Sequence, residues 1–154
     1  MKLWLLRHGE AEPARQSDAE RELTDFGRQQ ASRAAEAMRG QHLQRVLVSP
    51  YIRAQQTAEL FCQALGYSGV RETVSWLTPE SSSRHAIEQL DQYSDQNILL
   101  VSHQPLVGDL AGLLVNGHRQ DPVPMGTSSL AALEGEAIAT GLMYLRDLRH
   151  SMRD

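Results

Sequence analysis

Short apolar runs alternate with amphipathic stretches along most of the chain. The runs predict buried strands, because each is aliphatic and stops abruptly at polar residues; they cover residues 2–6, 45–48, 70–77 and 97–101. The stretches between them carry apolar residues at helical spacing, as in Ala31, Ala34, Ala35 and Met38. Strands that alternate with helices indicate an α/β fold. We expect a three-layer α/β/α arrangement with a mostly parallel central sheet.

Capping signals set the expected ends of the helices. Thr24 is a plausible N-cap for a helix that runs to about Arg39 and is closed by Gly40. Ser49 is expected to cap a second helix with Pro50 as its first residue, ending before Gly66. Further helices are expected from a cap at 81–83 to residue 93 and from Pro105 onward. Residues 116–126 read as a turn-rich loop, and 130–133 and 142–145 as a terminal antiparallel hairpin.

Composition narrows the class of protein. A chain of 154 residues is expected to form a single domain over 1–154 with a sizeable core. The net charge of −4 and the absence of a basic stripe argue against nucleic-acid binding. No apolar run reaches transmembrane length, and no signal peptide is recognisable, so we expect no membrane association and a cytoplasmic location. The single Cys62 lies in a helical pattern and reads as a small buried hydrophobe.

Cationic and imidazole side chains follow three of the predicted strands. Arg7 and His8 end the first run, Arg53 follows the second by one helical turn, and His103 follows the fourth. Ligands of open α/β sheets bind at the carboxyl ends of the strands, so parallel strands would bring the four side chains together. Two guanidinium groups and two imidazoles suit a phosphoryl group, because guanidinium forks match phosphate oxygens.

His8 is the predicted nucleophile of this site. It must be neutral, with one ring nitrogen free and the other held by an acceptor, and nearby arginines disfavour imidazolium. Gly9 is expected to permit the bend that brings Arg7 and His8 to the same pocket. His103 is the fourth donor and would do most as imidazolium, and two helix N-termini near Pro50 and Pro105 add positive charge. A zinc site on the two histidines is disfavoured, because no metal-binding motif accompanies them.

Three motifs in this order carry a resemblance to a known family. They are Arg7-His8-Gly9, Ser49-Pro50 with Arg53-Ala54-x-Gln56-Thr57-Ala58, and Ser102-His103-x-Pro105. The pattern resembles the histidine phosphatase superfamily, whose members pass phosphate through a phosphohistidine on the first motif. The short length and residues 18–27 are similar to its SixA-type phosphohistidine phosphatases. The resemblance implies a phosphoglycerate mutase-like fold, a phospho-His8 intermediate, and neither cofactor nor metal.

Three further residues are second-tier candidates for contacting phosphate or substrate: Gly9, Arg21 and Ser128. The resemblance places Arg21 near the pocket mouth, but nearby carboxylates, among them Asp18, could equally pair with it on a solvated loop. Ser128 and its neighbours Thr127 and Ser129 either line the pocket rim or form the polar start of a strand.

The general acid is where the chain departs from larger relatives. Expulsion of an alkoxide requires a proton, and the residue after the second histidine, which supplies it in one branch, is Gln104 here. Another branch uses a Glu in an inserted segment, and Glu80 is the nearest equivalent. Imidazole is a better leaving group than an alkoxide, so the predicted substrate is phosphohistidine on a protein, such as a phosphotransfer domain, with inorganic phosphate as product. The alternatives are a small-phosphoester phosphatase with Glu80 as acid and an inactive phosphate- or phosphohistidine-binding module.

Overall fold

The computed structural model describes residues 1–13 and 16–151. In this part of the chain, six strands form one sheet and four α-helices pack on it. The strands are β1 (Lys2–Arg7), β2 (Arg45–Val48), β3 (Val70–Thr73), β4 (Ile98–Ser102), β5 (Leu130–Glu134) and β6 (Tyr144–Arg149). The helices are α1 (Asp25–Ala34), α2 (Ile52–Leu65), α3 (Ser83–Leu90) and α4 (Leu106–Asn116).

The sheet runs in the order β3-β2-β4-β1-β5-β6. β1, β2, β3 and β4 are parallel to one another, and β5 and β6 form the expected antiparallel pair at one edge. β4 lies between β1 and β2, with Arg7 opposite Ser102 and Val48 opposite Val101. The carboxyl ends of these three strands therefore meet at one edge of the sheet, which is where ligands of such folds bind.

Side chains of the central strands alternate between two cores. In β1, Leu3 and Leu5 belong to the cluster that includes Leu106 and Leu110 of α4. Trp4 and Leu6 belong to the opposite cluster, which includes Ala54, Ala58 and Phe61 of α2. Helices cover both faces, so the strands are apolar on both sides and read as continuous runs rather than alternating ones. The predicted α/β/α layer fold with a mostly parallel sheet is confirmed.

The prediction for the start of the second helix was wrong. α2 begins at Ile52 with Tyr51 at its N-cap, two residues later than Ser49 and Pro50 suggested. The Ser49 hydroxyl instead lies 2.7 Å from Nε2 of His103 and accepts from the Tyr51 N–H at 3.2 Å, so it holds the turn that precedes the helix. The first helix does start after Thr24, whose hydroxyl accepts a hydrogen bond from the Gly27 N–H, but its last turn, Ala35–Met38, is a 3₁₀-helix.

Two strand predictions need correction. The third strand ends at Thr73 rather than residue 77, because Trp76 and Leu77 turn into the core in a short 3₁₀-helix. The last strand is Tyr144–Arg149 rather than residues 142–145, since Met143 is drawn into the core and Leu145 pairs with Leu133 after a register shift. Aliphatic residues predicted a strand in both regions. Burial of particular side chains in the core decided where strand pairing begins and ends.

The loop that follows α4 returns to the carboxyl edge of the sheet. Its Val123 N–H donates to the Gly108 carbonyl, and a side chain at Gly108 would collide with the Val123 carbonyl. The sequence predicts a polar loop over residues 11–22, and residues 14–15 of it lie outside the described residues. Within residues 1–13 and 16–151, no helix has both the length and the apolar character needed to cross a bilayer.

Candidate active site

The backbone around His8 is held from both sides of β1. The His8 N–H donates to the Ser102 carbonyl at 3.0 Å, and the His8 carbonyl accepts from the Ser128 N–H at 2.9 Å. The Arg7 N–H donates to the Ser129 carbonyl at 3.1 Å. Sheet pairing thus continues past the end of the strand, and it fixes the imidazole of His8 at the carboxyl edge of the sheet.

The His8 ring is buried and oriented for attack through one nitrogen. Nδ1 lies 2.7 Å from the Gly9 carbonyl, which can only accept, so Nδ1 carries the proton and Nε2 the lone pair. Nε2 accepts a hydrogen bond from Nε of Arg53 at 3.3 Å. Burial, with the charges of Arg53, Arg7 and Arg21, lowers the pKa of His8 from 6.5 to about 4, although the Gly9 carbonyl opposes the shift. His8 is therefore neutral at physiological pH, as a nucleophile requires.

Gly9 is required for close packing. A Cβ atom at Gly9 would collide with the Gly27 carbonyl at the start of α1. The Gly9 N–H donates to the Thr57 hydroxyl at 3.0 Å, and that hydroxyl donates to the Arg53 carbonyl at 2.8 Å. The tight approach of α1 to the strand end is a further reason for a glycine at this position, beside the bend expected from the sequence. Gly9 thereby ties the first motif to the second.

Arg53 places its guanidinium between His8 and the loop before α1. Only 4% of its side chain is exposed. Besides the contact to His8, Nη1 donates to the Asp18 carbonyl at 2.7 Å and Nη2 to the Asp18 carboxylate at 3.1 Å. Its Cζ lies 5.1 Å from the ring centroid of Tyr51, a cation–π contact. As predicted, the first turn of α2 points this side chain back at the sheet edge.

His103 stands beside His8 but is not the imidazolium expected from the sequence. The two ring centroids are 5.1 Å apart, and Nε2 is 2.7 Å from the Ser49 hydroxyl. Burial and the neighbouring His8 and Arg53 lower the pKa of His103 to about 2, so the ring is neutral in this pocket. Several cations in one buried site leave no favourable place for another positive charge. A dianionic phosphoryl group would raise the pKa again.

Two buried nitrogens of the pocket have no hydrogen-bond partner within the described residues: Nε of Arg7 and Nδ1 of His103. The Arg7 guanidinium is held through Nη1 by the Met125 carbonyl at 3.0 Å, which is how the returning loop contributes to the site. Burial and Arg53 lower the pKa of Arg7, and the charge of Arg7 acts on both histidines. Unsatisfied buried polar atoms are costly, and phosphoryl oxygens would give both nitrogens partners.

The second-tier residues fall at the edges of this arrangement. Arg21 binds the Glu12 carbonyl through Nε at 2.7 Å and the Asp18 carboxylate through Nη1 at 3.0 Å. Its charge still contributes to the lowered pKa of His8, so Arg21 is both a loop ion-pair partner and a pocket neighbour. Ser128 is buried with φ of 53° and braces His8 through its backbone N–H. The Ser128 hydroxyl has no hydrogen-bond partner among residues 1–13 and 16–151, and Ser128 also lines a cavity of about 210 Å³ between α1 and β6.

The sequence did not single out the aromatic wall of the pocket. The Tyr51 ring packs edge-on against His103 with centroids 5.1 Å apart. Glu80 is exposed and lies next to the Tyr51 hydroxyl, and burial together with the charge of Glu80 raises the pKa of that tyrosine. Gln104 turns away to α4, where its Oε1 accepts from the Gly108 N–H at 2.9 Å. The position after the second histidine therefore caps a helix.

Comparisons with known proteins agree with the motifs. The sequence profile of the histidine phosphatase superfamily (branch 1) matches residues 3–75. A phosphohistidine phosphatase SixA homolog of Haemophilus influenzae is 33% identical over 146 residues, which cover 86% of this chain and 87% of that protein. The phosphohistidine phosphatase SixA of Escherichia coli is also 33% identical, over 86% of this chain and 84% of its own.

Solved structures agree as well. The structure of the protein histidine phosphatase SixA complexed with tungstate superposes with a TM-score of 0.88 at 30% identity, covering 97% of each chain. A mycobacterial glucosyl-3-phosphoglycerate phosphatase shares the fold with a TM-score of 0.72 at 20% identity, over 97% of this chain and 99% of that chain. The layered sheet, the three motifs at its carboxyl edge and these similarities agree, and the chain belongs to the histidine phosphatase superfamily, among its SixA-type members.

Proposed function

We propose that this chain is a phosphohistidine phosphatase. It removes the phosphoryl group of a phosphohistidine on a partner protein, such as a phosphotransfer domain, and releases inorganic phosphate in the cytoplasm. The SixA proteins that it resembles over most of their length are phosphohistidine phosphatases by name. The observation that carries the proposal is the neutral His8 ring, whose Nδ1 is held by Gly9 while Nε2 faces the Arg53 guanidinium.

The first chemical step transfers the phosphoryl group to His8. Nε2 of His8 attacks phosphorus as the bond from phosphorus to the substrate imidazole breaks. The electron pair of that bond stays on the substrate nitrogen, and the other nitrogen of the same ring carries a proton, so the substrate histidine leaves as neutral imidazole. Nε of Arg53 then donates its hydrogen bond to a phosphoryl oxygen instead of to Nε2 of His8. Arg7 and His103 contact the remaining oxygens. His8 keeps its Nδ1 proton throughout, so the Gly9 carbonyl stabilises the positive charge that the phosphorylated ring acquires.

The second step returns His8 to its starting state. Water attacks phosphorus from the side that the substrate imidazole has left, and the bond between phosphorus and Nε2 breaks. The electron pair returns to Nε2, and the water proton is taken up by the departing phosphate. A loose phosphoryl transition state needs positioning and charge stabilisation more than covalent help, which two guanidinium groups can supply.

The contacts of Gln104 and Glu80 support phosphohistidine over alkyl esters. Gln104 is engaged with α4, and Glu80 interacts with Tyr51. A phosphoramidate releases imidazole, which does not require protonation by a carboxylic acid. The segment between β3 and β4 holds only α3 and short 3₁₀ turns, so no inserted domain there restricts a protein partner.

Metal independence is part of the proposal. Cationic side chains at the pocket take the role that Mg²⁺ has in other phosphotransferases. Among the described residues, no group of three or more His, Cys, Asp or Glu side chains is arranged to hold a metal ion.

One observation favours a second candidate function, hydrolysis of small phosphate esters. Glu80 neighbours Tyr51, and Tyr51 packs on His103 and Arg53. The Glu80 carboxylate therefore contacts a side chain that itself contacts two residues of the site. An acid at this position would protonate an alkoxide leaving group.

A labelling experiment tests the proposal. The protein is exposed briefly to ³²P-labelled phosphohistidine on a protein and quenched in acid or in base. We expect this chain itself to become labelled. The label on this chain should survive base and be lost in acid, as a phosphohistidine requires. His8→Ala should abolish both the label and phosphate release, because no other neutral imidazole has its Nε2 at the Arg53 guanidinium within the described residues.

The matched control replaces an exposed histidine. His42→Ala should label and turn over like the wild type, since His42 lies outside the pocket. Phosphate release at wild-type rate from folded His8→Ala protein contradicts the nucleophile. Turnover of sugar phosphates without turnover of phosphohistidine selects the ester phosphatase, and binding of phosphate without turnover of either selects an inactive module.

A further inference from the structure

A carboxylate outside the three motifs connects the arginines of the site. Asp18 opens a short 3₁₀ turn, Asp18–Glu20, in the loop before α1. Its Oδ1 accepts from Nη1 of Arg21 at 3.0 Å, and its Oδ2 accepts from Nη2 of Arg53 at 3.1 Å. Its backbone carbonyl accepts from Nη1 of Arg53 at 2.7 Å. One residue thus binds two guanidinium groups through three oxygens.

We propose that Asp18 is a positioning residue, which orients the Arg53 guanidinium for phosphoryl transfer and competes with the phosphoryl group for it. This rests on the proposed function, because Arg53 matters as a donor to the transferred group. Asp18 does not contact the reacting atoms in this arrangement, and it acts through Arg53.

The hydrogen bonds of Arg53 support an orienting role. All three of its nitrogens are engaged: Nε with His8, and Nη1 and Nη2 with Asp18. The two Asp18 contacts fix the plane of the guanidinium, so Nε points at the place where phosphorus will sit on His8. Preorganised donors of this kind need no rearrangement during the reaction, which is the origin of their large effect on rate.

The exposure of Asp18 supports the competing role. Its side chain is 48% exposed, whereas that of Arg53 is 4% exposed. The carboxylate therefore sits at the solvent side of the guanidinium and can leave it without disturbing the core. The negative charge of Asp18 lies close to the Arg53 guanidinium, which must bind the dianionic phosphoryl group. The carboxylate and the phosphoryl group repel each other at such short range despite screening by water.

The two roles predict opposite effects of removing the charge. Asp18→Asn keeps the size of the side chain and the backbone contact, but it weakens the hold on Nη2 of Arg53. We expect kcat for phosphohistidine to fall by about 10-fold to 100-fold, somewhat less than deletion of a transition-state donor costs. Inorganic phosphate should bind about 3-fold to 10-fold more tightly, because one negative charge near the pocket is gone.

The experiment measures kcat by phosphate release and phosphate affinity by calorimetry in the same preparations. Glu20→Gln is the matched control, because it removes the same charge from the same turn, where Glu20 pairs with the Ser17 hydroxyl rather than with Arg53. We expect both quantities to stay within twofold of wild type in this control. Binding of phosphate also reports that each variant is folded, and Asp18→Ser is the second variant if Asp18→Asn is recovered unfolded.

Three outcomes overturn the proposal. The first is an Asp18→Asn protein that retains wild-type kcat, the second is one that loses kcat and phosphate binding together, and the third is one that matches Glu20→Gln in both quantities. Phosphate affinity is measured without turnover, so failure of the proposed function is visible separately. If the wild type hydrolyses a phosphoester instead of phosphohistidine, kcat is measured with that ester and is again compared with phosphate affinity.

Discussion

Acidification should destabilise this protein through His8 in a predictable pH range. The pKa of His8 is about 4 in the folded protein, against an ordinary value of 6.5. Between these values, the unfolded chain binds a proton that the folded chain does not, so folding becomes less favourable as the pH falls. More than about one pH unit above 6.5, both states are neutral at this position and His8 contributes no pH dependence.

The size of the effect follows from the shift. One pKa unit corresponds to about 1.4 kcal/mol, so lowering the pH from about 7 to about 4.5 should cost roughly 2.5 kcal/mol of unfolding free energy through His8. His103 adds a second loss of the same sign, since its pKa is lowered to about 2. Carboxylates also titrate at the low end of the range, so a comparison between variants is required.

Urea unfolding of the wild type, His8→Asn and His42→Asn at several pH values isolates the contribution of His8. We expect the unfolding free energy of His8→Asn to fall by about 2 kcal/mol less than that of the wild type over this range. His42→Asn, at an exposed position, should follow the wild type. Parallel curves for the wild type and His8→Asn would falsify the conclusion that the His8 ring is buried and neutral.

Three further predictions concern turnover. Arg7→Ala and Arg53→Ala should each lower the rate by about 10²–10³, the usual cost of one preorganised donor, and losses below tenfold in phosphate-release assays would place that arginine outside the reaction. Activity should survive EDTA, and loss on chelation with recovery on added Mg²⁺ would refute metal independence. Glu80→Gln should change phosphohistidine turnover little, whereas alkyl ester turnover should fall by about 10²–10⁴ if Glu80 is its acid; a large loss on phosphohistidine contradicts the proposed leaving-group chemistry.

The sequence alone predicted the layers of the fold and the place of the site. Apolar runs of strand length, amphipathic stretches between them and the Thr24 cap are local signals, because periodicity and capping act over a few residues. The positions of Arg7, His8, Arg53 and His103 after strands followed from the same signals. The expectation that they converge needed one further rule, that parallel strands end at a common edge.

The tertiary structure decided which atoms meet. β4 lies between β1 and β2, and this order brings His103 to His8 and gives it the Ser49 hydroxyl, so Ser49 does not cap α2. The same packing buries His103 among cations, which is why the predicted imidazolium is a neutral ring.

Other contacts of the site join segments that are distant in sequence. Gly9 packs against Gly27, Arg53 binds Asp18, and Arg7 binds the Met125 carbonyl of the returning loop. No periodicity or cap encodes such contacts, since they depend on sheet register and on how the loops pack over the strand ends. The sequence by itself determined the residue types and the edge of the sheet that bears them. Hydrogen-bond partners and charge states were fixed only by folding, because both depend on neighbours that the chain brings together from far apart.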